Sequence, residues 1–329
     1  MTTAILLDKP YTTAWENMSS SPALDDEVPE LGFDNDYNDD NDDWEEAMAV
    51  KVGELTTTQD ARSVVLIRDH VLELPELYLS VCVLGPPEDT KGFSQLFVRA
   101  ECTGTDNIED ADLVVFSGGP DVNPAYYGEE PVSSFCGNDE RDYADIVKYL
   151  ECYEQGIPML GICRGAQFLA VMNDGKLAQD VDNHVGDHPM WAIKDKSMLE
   201  HVSSVHHQAV LHTEGMEVLG HSYKSTSRWL NPETHLTKPN AIYAPDIEAY
   251  FIRESCCLGI QGHPEYRGYS AFAKWTLEQI NNYVILNPDL DWDETTKRRR
   301  LRPEFLKERE LRYSKKQERP LLTLVKEAK

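Results

Sequence analysis

The sequence predicts an α/β fold, with a mostly parallel central sheet flanked by helices and polar extensions at both ends. Two observations point to it. Between about residues 61 and 285, short apolar runs alternate with helical stretches, the pattern produced by strand–helix–strand crossovers. Several of those runs end at glycine or at a reactive residue type, as strands do where loops gather at the carboxyl edge of an open sheet.

Taken in order, the candidate strands are SVVLIRD, LYLSVCVLG, LFVRAEC, ADLVVFSGG, IPMLGIC, EVLGHS, AIYAP, EAYFIRE and CLGIQGH. Residues 1–60 read as an acidic, largely disordered arm, 61–285 as the folded domain and 286–329 as a charged, basic helical extension. The arm is rich in Asp, Asn, Ser and Pro and poor in aliphatics, so burial cannot offset the entropy of ordering it. A calcium loop through Asp34, Asp36, Asp40 and Asp42 is the sharper alternative, but an EF-hand's central Gly and closing Glu are out of register. Arg298, Arg299 and Arg300 open a stretch that reads as an exposed charged helix, set against the acidic arm by sign alone.

The net charge of -27 opposes attraction to nucleic acid and to anionic membranes. No run approaches the roughly 20 apolar residues of a membrane span, and the first residues lack the pattern of a secretory signal. A cytoplasmic location is expected, the host cytoplasm if the protein is phage-encoded. The seven cysteines are scattered, without zinc or disulfide spacing. A small buried hydrophobe is the default reading for six of them.

The seventh is Cys163. In IPMLGICRGAQFLAVMN an apolar strand runs into Gly161-Ile162-Cys163-Arg164-Gly165 and then into a helical pattern. This is a nucleophile elbow with sulfur in place of oxygen, and its glycines allow a sharp turn and close helix packing. At a helix N-terminus the macrodipole favours thiolate over thiol. A proton carrier is supplied by CCLGIQGHPEY, where a strand ends at Gly262 and His263-Pro264-Glu265 follows. The imidazole can pair with the thiolate while Glu265 fixes its tautomer.

Three blocks in order, FSGGPDVNPAYYG, GIPMLGICRGAQFL and LGIQGHPEY, resemble the class I glutamine amidotransferase superfamily, whose layers are flavodoxin-like. More narrowly they resemble its γ-glutamyl hydrolase branch (peptidase C26-like), which includes γ-glutamyl-γ-aminobutyrate hydrolases and many phage-encoded enzymes. The resemblance covers roughly residues 75 to 285. It implies Cys163, His263 and Glu265 as a catalytic triad. It implies the N–H groups of Gly119 and Arg164 as an oxyanion hole, with Gly118 in the same loop. Gln167, four residues beyond the nucleophile, matches the position that contacts the glutamyl group, and Ser203-Ser204-Val205-His206-His207-Gln208 matches a stretch bordering the substrate pocket. His206, His207 and Gln208 are therefore expected to contact substrate.

The chain departs from the family pattern at several positions. Ser203 stands for an Asn, and Asp145 for the Glu of Arg-Asp-x-x-Glu in Arg141-Asp142-Tyr143-Ala144-Asp145, which reads as a structural helix start. Gly262 stands where an aromatic residue often precedes the His-Pro-Glu, so a wider or softer pocket wall is expected. His184 and His188 have the i, i+4 spacing of a metal pair, but Gly186 and Pro189 argue against a helix there, and no metal is expected. With no phosphate-loop motif and no GxGxxG fingerprint, no cofactor is expected either.

The implied activity is cysteine-dependent hydrolysis of a γ-glutamyl amide through a glutamyl thioester, on glutamine or on a γ-glutamyl amine or peptide. Two alternatives stay open. One is a glutaminase subunit handing ammonia to a separate synthase, with nucleotide or nucleobase modification among the options. The other is a catalytically silent scaffold. A small-molecule substrate is the expected partner, and a homo-oligomer is compatible with the sequence.

Overall fold

The computed structural model describes residues 73–132, 135–181, 184–222, 229–231, 236–238, 246–305 and 307. The acidic arm and the candidate strands at 63–69 and 241–245 lie outside them.

The described chain opens with β1 (Ser80–Leu84), α1 (Pro87–Arg99), β2 (Thr103–Gly104) and β3 (Leu113–Phe116), followed by α2 (Asp139–Glu154), β4 (Met159–Ile162) and α3 (Arg164–Met172). An antiparallel region follows: β5 (Leu177–Ala178), β6 (Val185–Ala192), β7 (Ser197–Val205), β8 (Ala209–Val210), β9 (Met216–Ser222), β10 (Trp229–Asn231), β11 (Leu236–Lys238) and β12 (Ile247–Ile252). β13 (Cys257–Ile260), α4 (Ala271–Ile280), β14 (Leu290–Asp293) and β15 (Arg298–Leu301) complete it.

The main sheet runs β2-β1-β3-β4-β13-β12-β9-β6-β7. From β2 to β13 every pairing is parallel. Within this half the order matches the doubly wound, flavodoxin-like arrangement. β13 then pairs antiparallel with β12, and the sheet continues antiparallel through β9, β6 and β7.

Alternation along β1 sorts the core into two faces. Val81 and Val83 join Phe93, Leu96 and Phe97 of α1 and Trp275 and Leu277 of α4. Cys82 and Leu84 join Ile146 and Tyr149 of α2 and Phe168 and Leu169 of α3. Helices thus cover both faces of the parallel half, which explains why β1, β3, β4 and β13 are almost wholly apolar.

Two expectations are corrected. LFVRAEC is not a strand: residues up to Arg99 complete α1, in which Phe93, Leu96, Phe97 and Ala100 are buried. Their spacing is that of one helical face, so packing decides a run that is ambiguous by composition. Arg298–Leu301 is not an exposed helix either, since it forms β15, antiparallel to β14. Leu290 and Leu301 enter the core, and the Arg299 guanidinium donates to the carbonyls of Asn287 and Leu290 at 3.2 and 2.8 Å. The extension after residue 307 lies outside the described residues.

Candidate active site

The parallel strands bring their carboxyl ends together around one cleft. β4 ends at Ile162, and Cys163 follows with φ 52° and ψ -112° as the residue capping α3. This positive φ is unusual for a residue with a side chain and belongs to the sharp turn of an elbow. The flanking glycines are required by contact. A Cβ at Gly165 would lie 1.9 Å from the Phe116 carbonyl oxygen, and one at Gly161 would lie 2.4 Å from the Gly165 carbonyl oxygen. Helix α3 therefore sits against the sheet at backbone distance.

β13 ends at Ile260 and delivers His263 to the same place. His263 Nδ1 lies 2.7 Å from Glu265 Oε1, and both side chains are buried. Burial by itself pulls the imidazole pKa down, but attraction and a hydrogen bond from Cys163, with the Glu265 hydrogen bond added, carry it well above the ordinary value. The imidazole is thus placed between the Cys163 sulfur and the Glu265 carboxyl group. Elsewhere in the fold, burial pushes the Cys82 thiol up to about 12 and the Cys102 thiol up to about 11. Among the six remaining cysteines the reading as buried hydrophobes fails at Cys136, which is exposed.

β3 ends at Phe116 and leads to Ser117-Gly118-Gly119. A Cβ at Gly118 would stand 3.1 Å from His263 Cε1, so glycine there lets the imidazole approach. Gly119 adopts φ 139° and lines the cleft with Cys163. The Arg164 amide is the first N–H of α3, a position with no intrahelical acceptor. Arg164 is the immediate neighbour of the nucleophile, while Gly119 reaches the cleft from the loop after β3. The cleft encloses about 260 Å³ and is also lined by Gly92, Gly118, Val205, His263, Glu265 and Tyr266.

The remaining candidates lie elsewhere. Gln167 is buried and donates from Nε2 to the Gln208 carbonyl at 2.9 Å, tying α3 to the segment after β7. Gln208 and His206 are buried too, and none of the three lines the cleft. His207 is half-buried, its Nε2 3.0 Å from Asp121, and that hydrogen bond raises its pKa. Gly262 does not widen the wall: a Cβ there would meet Val202 Cγ1 at 2.6 Å and the Phe272 ring at 2.9 Å, so neighbouring side chains fill the space.

The sequence reading passed over several residues. Tyr266 stacks on His263, ring centroids 4.3 Å apart and planes 7° apart. The segment expected to be a helix start does begin α2, capped by Asn138, yet it also reaches the elbow. The buried Arg164 guanidinium pairs with both Asp142 and Asp145. Arg141 pairs with Asp145 at 2.9 Å and donates to Ser117 Oγ at 3.1 Å and the Gly118 carbonyl at 3.4 Å. One ion network thus joins α2, the residue after the nucleophile and the glycine loop. Its only sequence trace was charged residues on a helix that also carries core residues.

Comparison with known proteins adds the following. A family model described as peptidase C26 matches residues 99–265. The chain is 29 % identical over 177 residues to the glutamine amidotransferase-like protein YvdE of Lactococcus lactis, covering 49 % of this chain and 70 % of that one. It is 34 % identical over 83 residues to the gamma-glutamyl-CDP-amidate hydrolase of Campylobacter jejuni, covering 25 % of this chain and 38 % of that one. Two further relatives are matched over 44 % and 28 % of their own length, less than half of each. A solved glutamine amidotransferase from Thermotoga maritima aligns with a TM-score of 0.41 at 15 % identity, over 64 % of this chain and 85 % of that one. Among the described residues no helix is long and apolar enough to cross a membrane.

Proposed function

The chain belongs to the peptidase C26 family, and from that premise we propose that it hydrolyses a γ-glutamyl amide through a thioester on Cys163. The observation that carries this reading is the His263–Glu265 pair, joined at 2.7 Å and set against Cys163 in one cleft. A thiolate with its own proton carrier is the equipment of nucleophilic acyl transfer.

In the proposed cycle the Cys163 sulfur attacks the γ-carbonyl carbon and the carbonyl electrons move onto oxygen. The N–H groups of Gly119 and Arg164 receive that oxyanion, each such donor contributing on the order of 3 kcal/mol. His263 gives its proton to the departing nitrogen as the C–N bond breaks, leaving the thioester. The neutral imidazole then takes a proton from water, hydroxide adds to the thioester carbon, and glutamate leaves as the sulfur returns to thiolate. Glu265 holds Nδ1–H throughout, so Nε2 faces the chemistry.

The test is glutamate release, followed by mass spectrometry, from glutamine and from a panel of γ-glutamyl amines and peptides. Release that disappears in Cys163→Ala is the expected result, and turnover persisting in that variant overturns the proposal. Release from glutamine alone would favour ammonia transfer to a synthase over stand-alone hydrolysis.

A further inference from the structure

Behind the wall of the cleft, a second set of side chains converges that the proposed reaction does not use. His184 precedes β6 and His188 lies on it, His206 follows β7, and Glu248 lies on β12. One donor atom from each falls within 4.8 Å of all the others. All four side chains are at most 14 % exposed.

Hydrogen bonds show which nitrogen of each ring carries hydrogen when the ring is neutral. His206 Nδ1 faces the Gln208 carbonyl at 2.8 Å, and His188 Nδ1 faces the Pro189 carbonyl at 3.4 Å. A carbonyl oxygen has no proton to give, so both Nδ1 atoms carry hydrogen and both Nε2 atoms carry lone pairs. His184 Nε2 meets the Asp246 carboxylate at 3.0 Å, which leaves its lone pair on Nδ1. The lone pairs of His184 Nδ1 and His188 Nε2 then face each other at 3.3 Å. With both rings neutral that contact is repulsive, and either a second proton on His184 or a cation between the rings relieves it.

Glu248 completes the set. It is 1 % exposed, and among the described residues neither of its carboxylate oxygens has a hydrogen-bond partner, nor does His206 Nε2. Oε1 stands 3.4 Å from His184 Nδ1 and 3.6 Å from His188 Nε2. A charge-assisted hydrogen bond would draw these atoms to about 2.7–2.9 Å. Two ligands each about 2.0–2.1 Å from a tetrahedral ion stand about 3.3–3.4 Å apart, close to the 3.3, 3.4 and 3.6 Å among His184 Nδ1, His188 Nε2 and Glu248 Oε1, with a His206 nitrogen within 4.8 Å of the others.

We infer that His184, His188, His206 and Glu248 form a closed site for one divalent transition-metal ion, zinc by preference, which fastens the ends of β6 and β7 to β12. Three imidazoles and one carboxylate suit zinc rather than calcium or magnesium, which take oxygen ligands. Four protein ligands in a buried setting leave no open position, so the ion is structural. The partners on the far side of each ring, Asp246 above all, are the outer-shell acceptors that orient metal-bound histidines. The sequence reading set the His184–His188 pair aside because no helix could carry it. In the structure an extended segment brings both rings to one side, where a helix is not needed.

The ion would stand close to the reacting sulfur, since Val205, adjacent to His206, places its carbonyl oxygen 3.7 Å from Cys163 Sγ. The Glu248 backbone carbonyl also accepts from the Gln261 N–H at 2.8 Å, two residues before His263.

The experiment uses the full chain with Cys163→Ala and Cys136→Ala introduced, so that neither thiol binds metal. The protein is stripped with chelator, equilibrated with zinc, dialysed, and measured by plasma mass spectrometry. About one zinc per chain is expected, with a raised melting temperature, and cobalt substitution should give tetrahedral visible bands without a thiolate charge-transfer band. Glu248→Gln and His188→Ala should abolish binding, Asp246→Asn should weaken it about 10- to 100-fold, and His201→Ala, at an exposed position, should leave it unchanged. If the Glu248 and His188 variants fail to fold, the stoichiometry and cobalt spectrum of the parent still decide. Well under one-tenth of an equivalent of zinc in the folded parent, or full binding by folded Glu248→Gln, overturns the inference.

Discussion

Replacing Arg164 by Met tests whether the buried ion network holds the elbow. The guanidinium is 1 % exposed and pairs with two carboxylates of α2 that are fully buried. After its removal Asp145 keeps Arg141 at 2.9 Å, while Asp142 keeps the Asn123 amide at 2.9 Å but loses its countercharge. Breaking a buried pair by removing one partner costs about 3–5 kcal/mol. At about 2–4 °C per kcal/mol for a chain of this size, the melting temperature should fall by about 6–20 °C. The pH dependence supplies a second readout. Burial already raises the Asp142 pKa and Arg164 opposes that rise, so in Arg164→Met the raise grows. An acid whose folded pKa exceeds its unfolded value destabilises increasingly as pH climbs above the unfolded value of about 4. The deficit should therefore be largest near neutrality and shrink toward pH of about 4, and adding Asp142→Asn should restore part of the stability. Thermal melts of the three proteins at several pH values decide the matter. A single variant melting within about 2 °C of wild type at neutral pH would refute the reasoning.

The other predictions concern the cleft. Gly262→Ala should destabilise by about 1–3 kcal/mol, because its methyl group meets Val202 and Phe272 in a filled space; chemical denaturation measures it, and an unchanged midpoint would mean that the wall yields. The His263 ring should still be protonated well above pH of about 6.5 in wild type and titrate lower in Cys163→Ala, since Cys163 is the main group raising its pKa. The sign follows from linkage: a raised histidine pKa contributes stability that is full below the unfolded value and disappears as pH rises through the folded one. Imidazole NMR titrations of the two proteins check this, and identical curves would deny the Cys163–His263 pair. Alkylation should strike Cys163 and the exposed Cys136 well before the buried Cys82, Cys102, Cys152, Cys256 and Cys257, and peptide mapping of partially modified protein reads that order.

The parallel half of the fold was legible where its strands are short apolar runs buried on both faces, as in LVVF of β3 and MLGI of β4, and not at the exposed Thr103–Gly104 of β2. The antiparallel extension was legible only in part, at EVLGHS of β9 and EAYFI of β12. Strands β6 and β7 carry exposed and polar residues along most of their length, VGDHPMWA and SMLEHVSSV, and match neither period cleanly. Leu96-Phe97-Val98 failed in the opposite sense: it is apolar enough for a strand, but the helix formed by residues further upstream claims it. At the C-terminus the run of arginines suggested a solvated helix, whereas Arg299 is used to satisfy carbonyls around the β14–β15 hairpin.

The site divides along the same line. Cys163 and His263-Pro264-Glu265 each announce themselves locally, because an elbow needs its glycines as immediate neighbours and a carboxylate two residues on can reach an imidazole within one turn. Groups that act through a neighbour leave no such trace. Arg141 reaches the Ser117-Gly118 loop from 24 and 23 residues away, and Gln167 reaches Gln208 from 41. The same limit explains the histidines around Glu248. Sequence spacing could propose only the pair four apart, and it proposed them for a helix. His206 and Glu248 join that pair only because β7 doubles back on β6 and β12 runs beside β9, placements that depend on the whole sheet. Motifs therefore marked the groups that would make and break bonds, while the scaffold that would hold those groups in register is written in contacts between distant residues.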